Sequence, residues 1–151
     1  GSIFSIMCMA QMPNLFAAAA TSDFVYDMTA FSPNEELPIA LMTGVGTLDS
    51  YMNTADLLAT PSLTKLQGYL ATRLGLTAFD AAKTYQNGTW KYYVWENAQG
   101  APLYTLETSI GKVHADMPDE TYMFYDYMTK FARAEDGTLY YMGEKFELPA
   151  M

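Results

Sequence analysis

The densest run of chemically capable residues is His114-Ala115-Asp116-Met117-Pro118-Asp119-Glu120. An imidazole and several carboxylates so close together can ligate a divalent metal or supply a general base. His114, Asp116, Asp119 and Glu120 are therefore the metal-ligand candidates. A helix start explains the same acids: Asp116 as the cap, Pro118 at the first helical position, and Asp119 and Glu120 at the positive end of the macrodipole. That reading needs no ligand, and no cofactor is expected on it.

Other routes to catalysis are narrow. With a single histidine, zinc motifs that need two or three are impossible within one chain. A serine nucleophile would have to use His114, and no serine stands in a G-x-S-x-G elbow. Cys8 is the one cysteine, so no internal disulfide or four-cysteine zinc site can form. It lies between Met7 and Met9, and an apolar setting leaves a thiol inert. Gly44-Val45-Gly46-Thr47 has the glycines of a phosphate cradle but lacks the P-loop lysine and the third glycine of a dinucleotide fingerprint. Asn87-Gly88-Thr89 matches the N-glycosylation sequon, and Asn-Gly is already explained as a turn.

The chain is unusual in its side chains rather than its motifs. Its 151 residues include 12 Tyr, 8 Phe, 2 Trp and 11 Met. Tyr and Trp favour interfaces, and Met adapts to varied partners. Trp90, Tyr92, Tyr93, Trp95 and Tyr104 form the candidate interaction surface, and the same residue types can line a small-ligand pocket.

The formal net charge is −9, and Lys65 is the first basic residue. Too few Lys and Arg are present to neutralise phosphates, so no nucleic-acid partner is expected. An anionic membrane surface would repel the chain as well. The acidic balance serves solubility, or attracts a basic partner.

The elements that must position these residues follow from periodicity. Gly1-Ser2 reads as an expression scar. Residues 3–20 carry no charge and read as an apolar arm or a signal remnant, which leans towards export. Membrane insertion of the main domain is not expected, since Gln11, Pro13 and Asn14 interrupt this run. Residues 21–151 then form one domain. Ser22 to Phe31 alternates like a half-buried strand. Glu35 to Leu58 reads as mostly helical, broken at Gly44-Val45-Gly46, and Pro61 to Leu74 carries a leucine stripe at helical spacing. Ala78 to Tyr85 suggests a short helix. Thr89 to Glu96 and Leu103 to Ile110 are rich in aromatic and β-branched residues and predict a hairpin. Asp116 to about 134 predicts a helix closed by Gly137, and Thr138 to Leu148 a last hairpin turning at Gly143-Glu144.

The expected fold is α+β. An antiparallel sheet of two hairpins, about 89–110 and 138–148, packs against helices from the N-terminal half and about 118–134. The leading functional expectation is a non-catalytic module that binds a protein partner or forms a homo-oligomer. The alternatives are an extracytoplasmic small-ligand or sensory domain, and a metal- or carboxylate-dependent enzyme using His114.

Overall fold

A computed structural model describes residues 1–23, 40–50 and 83–147. These residues form an α+β structure with a mixed five-stranded sheet, a separate three-stranded sheet and two α-helices. The expected helix at Pro61–Leu74, nearly all of the expected strand at Ser22–Phe31 and the rest of the Thr47–Leu58 helix lie outside the described residues.

The chain opens with α1, Ser2–Gln11, whose Ile6, Met9 and Ala10 are buried. Those positions recur at helical spacing, so one face of the apolar arm docks on its own domain. Strand β1, Ala18–Ser22, then takes the edge of the main sheet. The alanine run that resembles the end of a signal segment is thus a strand here. Small side chains let α1 and the later helix approach β1 closely.

Strand β2, Ala40–Gly46, corrects the helical expectation for Ala40 to Thr43 and includes the expected break at Gly44-Val45-Gly46. Every residue of it is buried. It pairs in parallel with β1 on one side and with β5, Pro102–Ser109, on the other. A central parallel strand is covered on both faces and reads as an unbroken apolar run, which periodicity cannot tell from a buried helix.

Strands β3, Lys83–Asn87, and β4, Trp90–Glu96, complete the sheet as antiparallel neighbours, in the order β1-β2-β5-β4-β3. The expected helix at Ala78–Tyr85 is corrected at its described end, where Lys83 to Tyr85 is strand. Gly88, at φ +60°, turns β3 into β4. Cross-strand stacking holds this half together: Tyr85 on Tyr92 at 4.5 Å, and Trp95 on Tyr104 at 5.2 Å.

Helix α2, Pro118–Met128, starts with Pro118 in its first turn and Asp119 and Glu120 behind it. Its N-cap is Met117 rather than Asp116, and no side chain caps it. The helix ends before Gly137: Phe131–Arg133 is β6, which pairs with β7, Leu139–Tyr141, and through it with β8, Glu144–Phe146. The turn between β7 and β8 is Met142-Gly143, both at positive φ, one residue earlier than the sequence suggests. Phe131 anchors this small sheet between Tyr127, Tyr141 and Phe146. The two expected hairpins therefore lie in separate sheets, and the main sheet is mixed rather than antiparallel. Among the described residues no helix is long and apolar enough to cross a membrane.

Candidate functional site

Parallel strands end on the same edge of a sheet, and ligands of open α/β sheets gather beyond their carboxyl ends. Here β1, β2 and β5 deliver Ser22-Asp23, Gly46-Asp49 and Ser109-His114 to one edge. Backbone bonds stitch the loops together. The Thr47 amide donates to Ser109 O at 3.0 Å, the Leu48 amide to Lys112 O at 2.9 Å, and the Gly111 amide to Thr47 Oγ1 at 2.8 Å. The Asp23 amide donates to Gly44 O at 2.7 Å.

Glycine is required in this stitching. A Cβ on Gly46 would lie 2.3 Å from the carbonyl oxygen of Lys112. One on Gly44 would lie 2.6 Å from Glu120 Oε1 and 3.1 Å from Glu107 Oε2. The glycines singled out as a possible phosphate loop instead make room for neighbouring elements, Gly44 for the side chains of Glu107 and Glu120 and Gly46 for the backbone of Lys112.

The centre of the site is the buried Lys112. Its Nζ donates to Asp23 Oδ1 at 2.6 Å, to Glu120 Oε1 and Oε2 at 2.8 and 2.9 Å, and to Ser22 Oγ at 2.9 Å. Burial opposes its charge, but the bonds to Asp23 and Glu120 outweigh that and raise its pKa above the ordinary lysine value. Asp23 holds φ at +59°, a left-handed conformation that costs a non-glycine residue energy and is met at functional sites.

Asp49 and His114 form the second part. His114 Nδ1 lies 2.8 Å from Oδ2 of Asp49, whose side chain is fully buried while the imidazole is 45% exposed. The two groups are within hydrogen-bond distance, so the buried carboxylate orients the imidazole. Asp23, Asp49 and His114 each offer a ligand atom, and these atoms all lie within 4.8 Å of one another. The site faces a cleft of about 420 Å³ lined by Ser2, Ser22, Asp23, His114 and Asp116.

No protein-family model matches the sequence, and a comparison with curated proteins finds no match either. Function must therefore be argued from this geometry.

Beneath the cluster, Glu107 is wholly buried on β5. Ser109 Oγ donates to its Oε1 at 2.9 Å, whereas Oε2 has no hydrogen-bond partner among the described residues. Burial pushes its pKa up to about 8, with the Glu120 charge adding to the effect and Ser109 and Lys112 opposing it. At neutral pH it is a protonated acid.

The four sequence candidates divide. His114 and Glu120 enter the site, Asp116 lines the cleft, and Asp119 is exposed on α2. Asp23, Asp49, Glu107 and Lys112 were missed. The signal that could have found them is acids and a lysine just past, or at the end of, runs of buried-strand type. Of the aromatic candidates, Trp95 and Tyr104 are buried in the core, while Trp90, Tyr92 and Tyr93 are half-buried.

Proposed function

We propose that the protein is a divalent-metal-dependent enzyme of the hydrolytic class, with Asp23, Asp49 and His114 as metal ligands. The observation that carries the reading is the convergence of three donors from three separate strand ends to within 4.8 Å. Charge supports it. Among the described residues, Asp23, Asp49 and Glu120 set three carboxylates against the one ammonium of Lys112, an excess of carboxylates beside the imidazole of His114. A divalent cation balances that excess. Two carboxylate oxygens and one imidazole suit Mn²⁺, Mg²⁺ or Zn²⁺. Asp23, Asp49 and His114 would hold such a metal with coordination positions left for water and substrate, and it would supply an activated water for hydrolysis. Lys112, itself held by Glu120 and Ser22, fixes Asp23 from behind, as supporting residues do at metal sites.

The test is titration of Mn²⁺, Mg²⁺ and Zn²⁺ into chelator-treated protein by calorimetry, then assay of the loaded protein on activated phosphate and carboxylate esters. Saturable binding at one site, lost in Asp49→Asn and His114→Ala, is expected, with ester hydrolysis lost in the same variants. Absence of saturable binding at millimolar metal sinks the reading. Binding without hydrolysis reduces it to a cation-binding domain.

A second reading, self-association or docking of a protein partner, rests on a different observation. The outer face of α1 and the turn after it expose Phe4 and Leu15 at 71 and 72%, flanked by Ile3, Met7 and Met12. Apolar side chains grouped in this way mark contact surfaces. Light scattering of the full chain beside a Phe4→Ser, Leu15→Ser variant separates a dimer from a monomer.

A further inference from the structure

The opposite end of α2 covers a second cleft, of about 430 Å³, on the same face of the main sheet. Its floor is Met42, Val94 and Thr105, which are buried on β2, β4 and β5. Tyr85 and Tyr92 form one wall, stacked at 4.5 Å with 12° between their planes, and Tyr85 remains 54% exposed. Met123 and Tyr127 of α2 face them, and Tyr141 reaches in from the small sheet. Two of the phenols that line the cleft are already committed: Tyr92 Oη donates to Met123 Sδ at 3.2 Å, and Tyr127 Oη to Pro102 O at 2.8 Å. What the walls offer a ligand is chiefly aromatic and thioether surface.

The rim is charged in a particular way. Lys83 pairs with Glu96, and Lys130 Nζ pairs with Asp126 Oδ2 at 2.6 Å. All four residues line the cleft. Each cation is balanced by a carboxylate beside it, so a ligand of one sign loses at a pair what it gains there. A ligand bearing both signs aligns with such pairs. The overall charge of −9 weighs further against a purely anionic ligand.

We infer that this cleft binds a small planar aromatic molecule carrying both an ammonium and a carboxylate group, of the aromatic amino-acid class. The volume is that of a small-ligand site with apolar walls and a few polar groups at its mouth. The ring stacks on the Tyr85–Tyr92 pair, and offset stacking of this kind adds to simple burial. The ammonium lies towards Glu96 or Asp126, and the carboxylate towards Lys83 or Lys130. This inference is independent of the metal reading, because the two clefts share no lining residue.

Calorimetry of the full chain in chelator, with L-tryptophan, L-phenylalanine, L-leucine, tryptamine and indole-3-acetate as probes, tests it. L-tryptophan and L-phenylalanine are expected to bind. Tryptamine and indole-3-acetate, which each lack one charge, should bind more weakly, and L-leucine not measurably. Tyr85→Ala should weaken L-tryptophan about three- to tenfold. Lys130→Gln, a change at the partly exposed end of α2, should weaken it without changing the circular dichroism spectrum. No heat from either aromatic amino acid at millimolar concentration overturns the proposal. So does binding of tryptamine or indole-3-acetate as tight as that of L-tryptophan, or L-tryptophan binding that is unchanged in both variants.

Discussion

Lys112 Nζ lies 2.8 and 2.9 Å from the two carboxylate oxygens of Glu120, and both side chains are almost completely buried. Asp23 completes the arrangement from the other side at 2.6 Å. Burying charges is costly, and such a group holds only while every member has its partner. Lys112→Met should therefore destabilise the fold by about 3–5 kcal/mol, because two carboxylates are left without their cation. Urea denaturation at neutral pH measures this. Part of the loss should return at low pH, where protonation removes the stranded charges. A variant as stable as the parent would show that the ion cluster carries no structural weight.

Glu107 makes a pH prediction. Its folded pKa is about 8 against an ordinary value of 4.5. An acid whose pKa is raised on folding gives the folded state more bound protons, so stability falls as pH rises between the two values. The contribution is fully present below about pH 4.5 and gone above about pH 8. The size is on the order of 5 kcal/mol across that window. Glu107→Gln is neutral in both states and keeps the acceptor for Ser109. It should match the parent near pH 5 and exceed it at pH 9. A difference between the two that stays constant with pH would remove Glu107 as a proton-linked group.

Gly46→Ala should be severe. The added methyl would meet the backbone oxygen of Lys112 at 2.3 Å, and no flexible side chain is there to give way. Overpacking of this kind costs about 3 kcal/mol or more when backbone must move. The loop that would be displaced also carries Lys112 and His114, so the metal affinity proposed for that site should fall with stability. Gly100→Ala serves as the comparison in the same melting experiment. It lies in an exposed turn where the nearest atom to the new methyl is 3.9 Å away, and its positive φ of 82° limits the loss to local backbone strain. Equal losses in the two variants would count against the close approach at Gly46.

Removing residues 1–20 should unfold the domain rather than trim it. That segment contributes buried Ile6, Met9 and Ala10 together with most of edge strand β1. It also holds the Phe16 carbonyl that accepts from Arg133 Nε at 2.8 Å. A chain beginning at Thr21 should lose its cooperative melt. If it melts as the parent does, the arm has no structural role.

Local patterns reached part of this protein. The aromatic and β-branched residues of Trp90–Glu96 and the Asn87-Gly88 turn declared strand, since both act on nearest neighbours. Pro118 followed by Asp119 and Glu120 declared a helix start by the same local logic. The single histidine and the single cysteine excluded whole classes of catalysis without any structure.

Two things were settled only by the tertiary fold. Ala40-Leu41-Met42 suits a helix as well as a strand, and parallel pairing on both sides made it part of a strand. The site itself joins Asp49 to His114 across 65 residues and Asp23 to Lys112 across 89. Parallel ladders form between segments distant in the chain, so no spacing in the sequence records which carboxylates will meet. Composition and periodicity determined the kinds of element available. Sheet order, a non-local property, decided that an isolated histidine would face two distant aspartates beside a buried lysine.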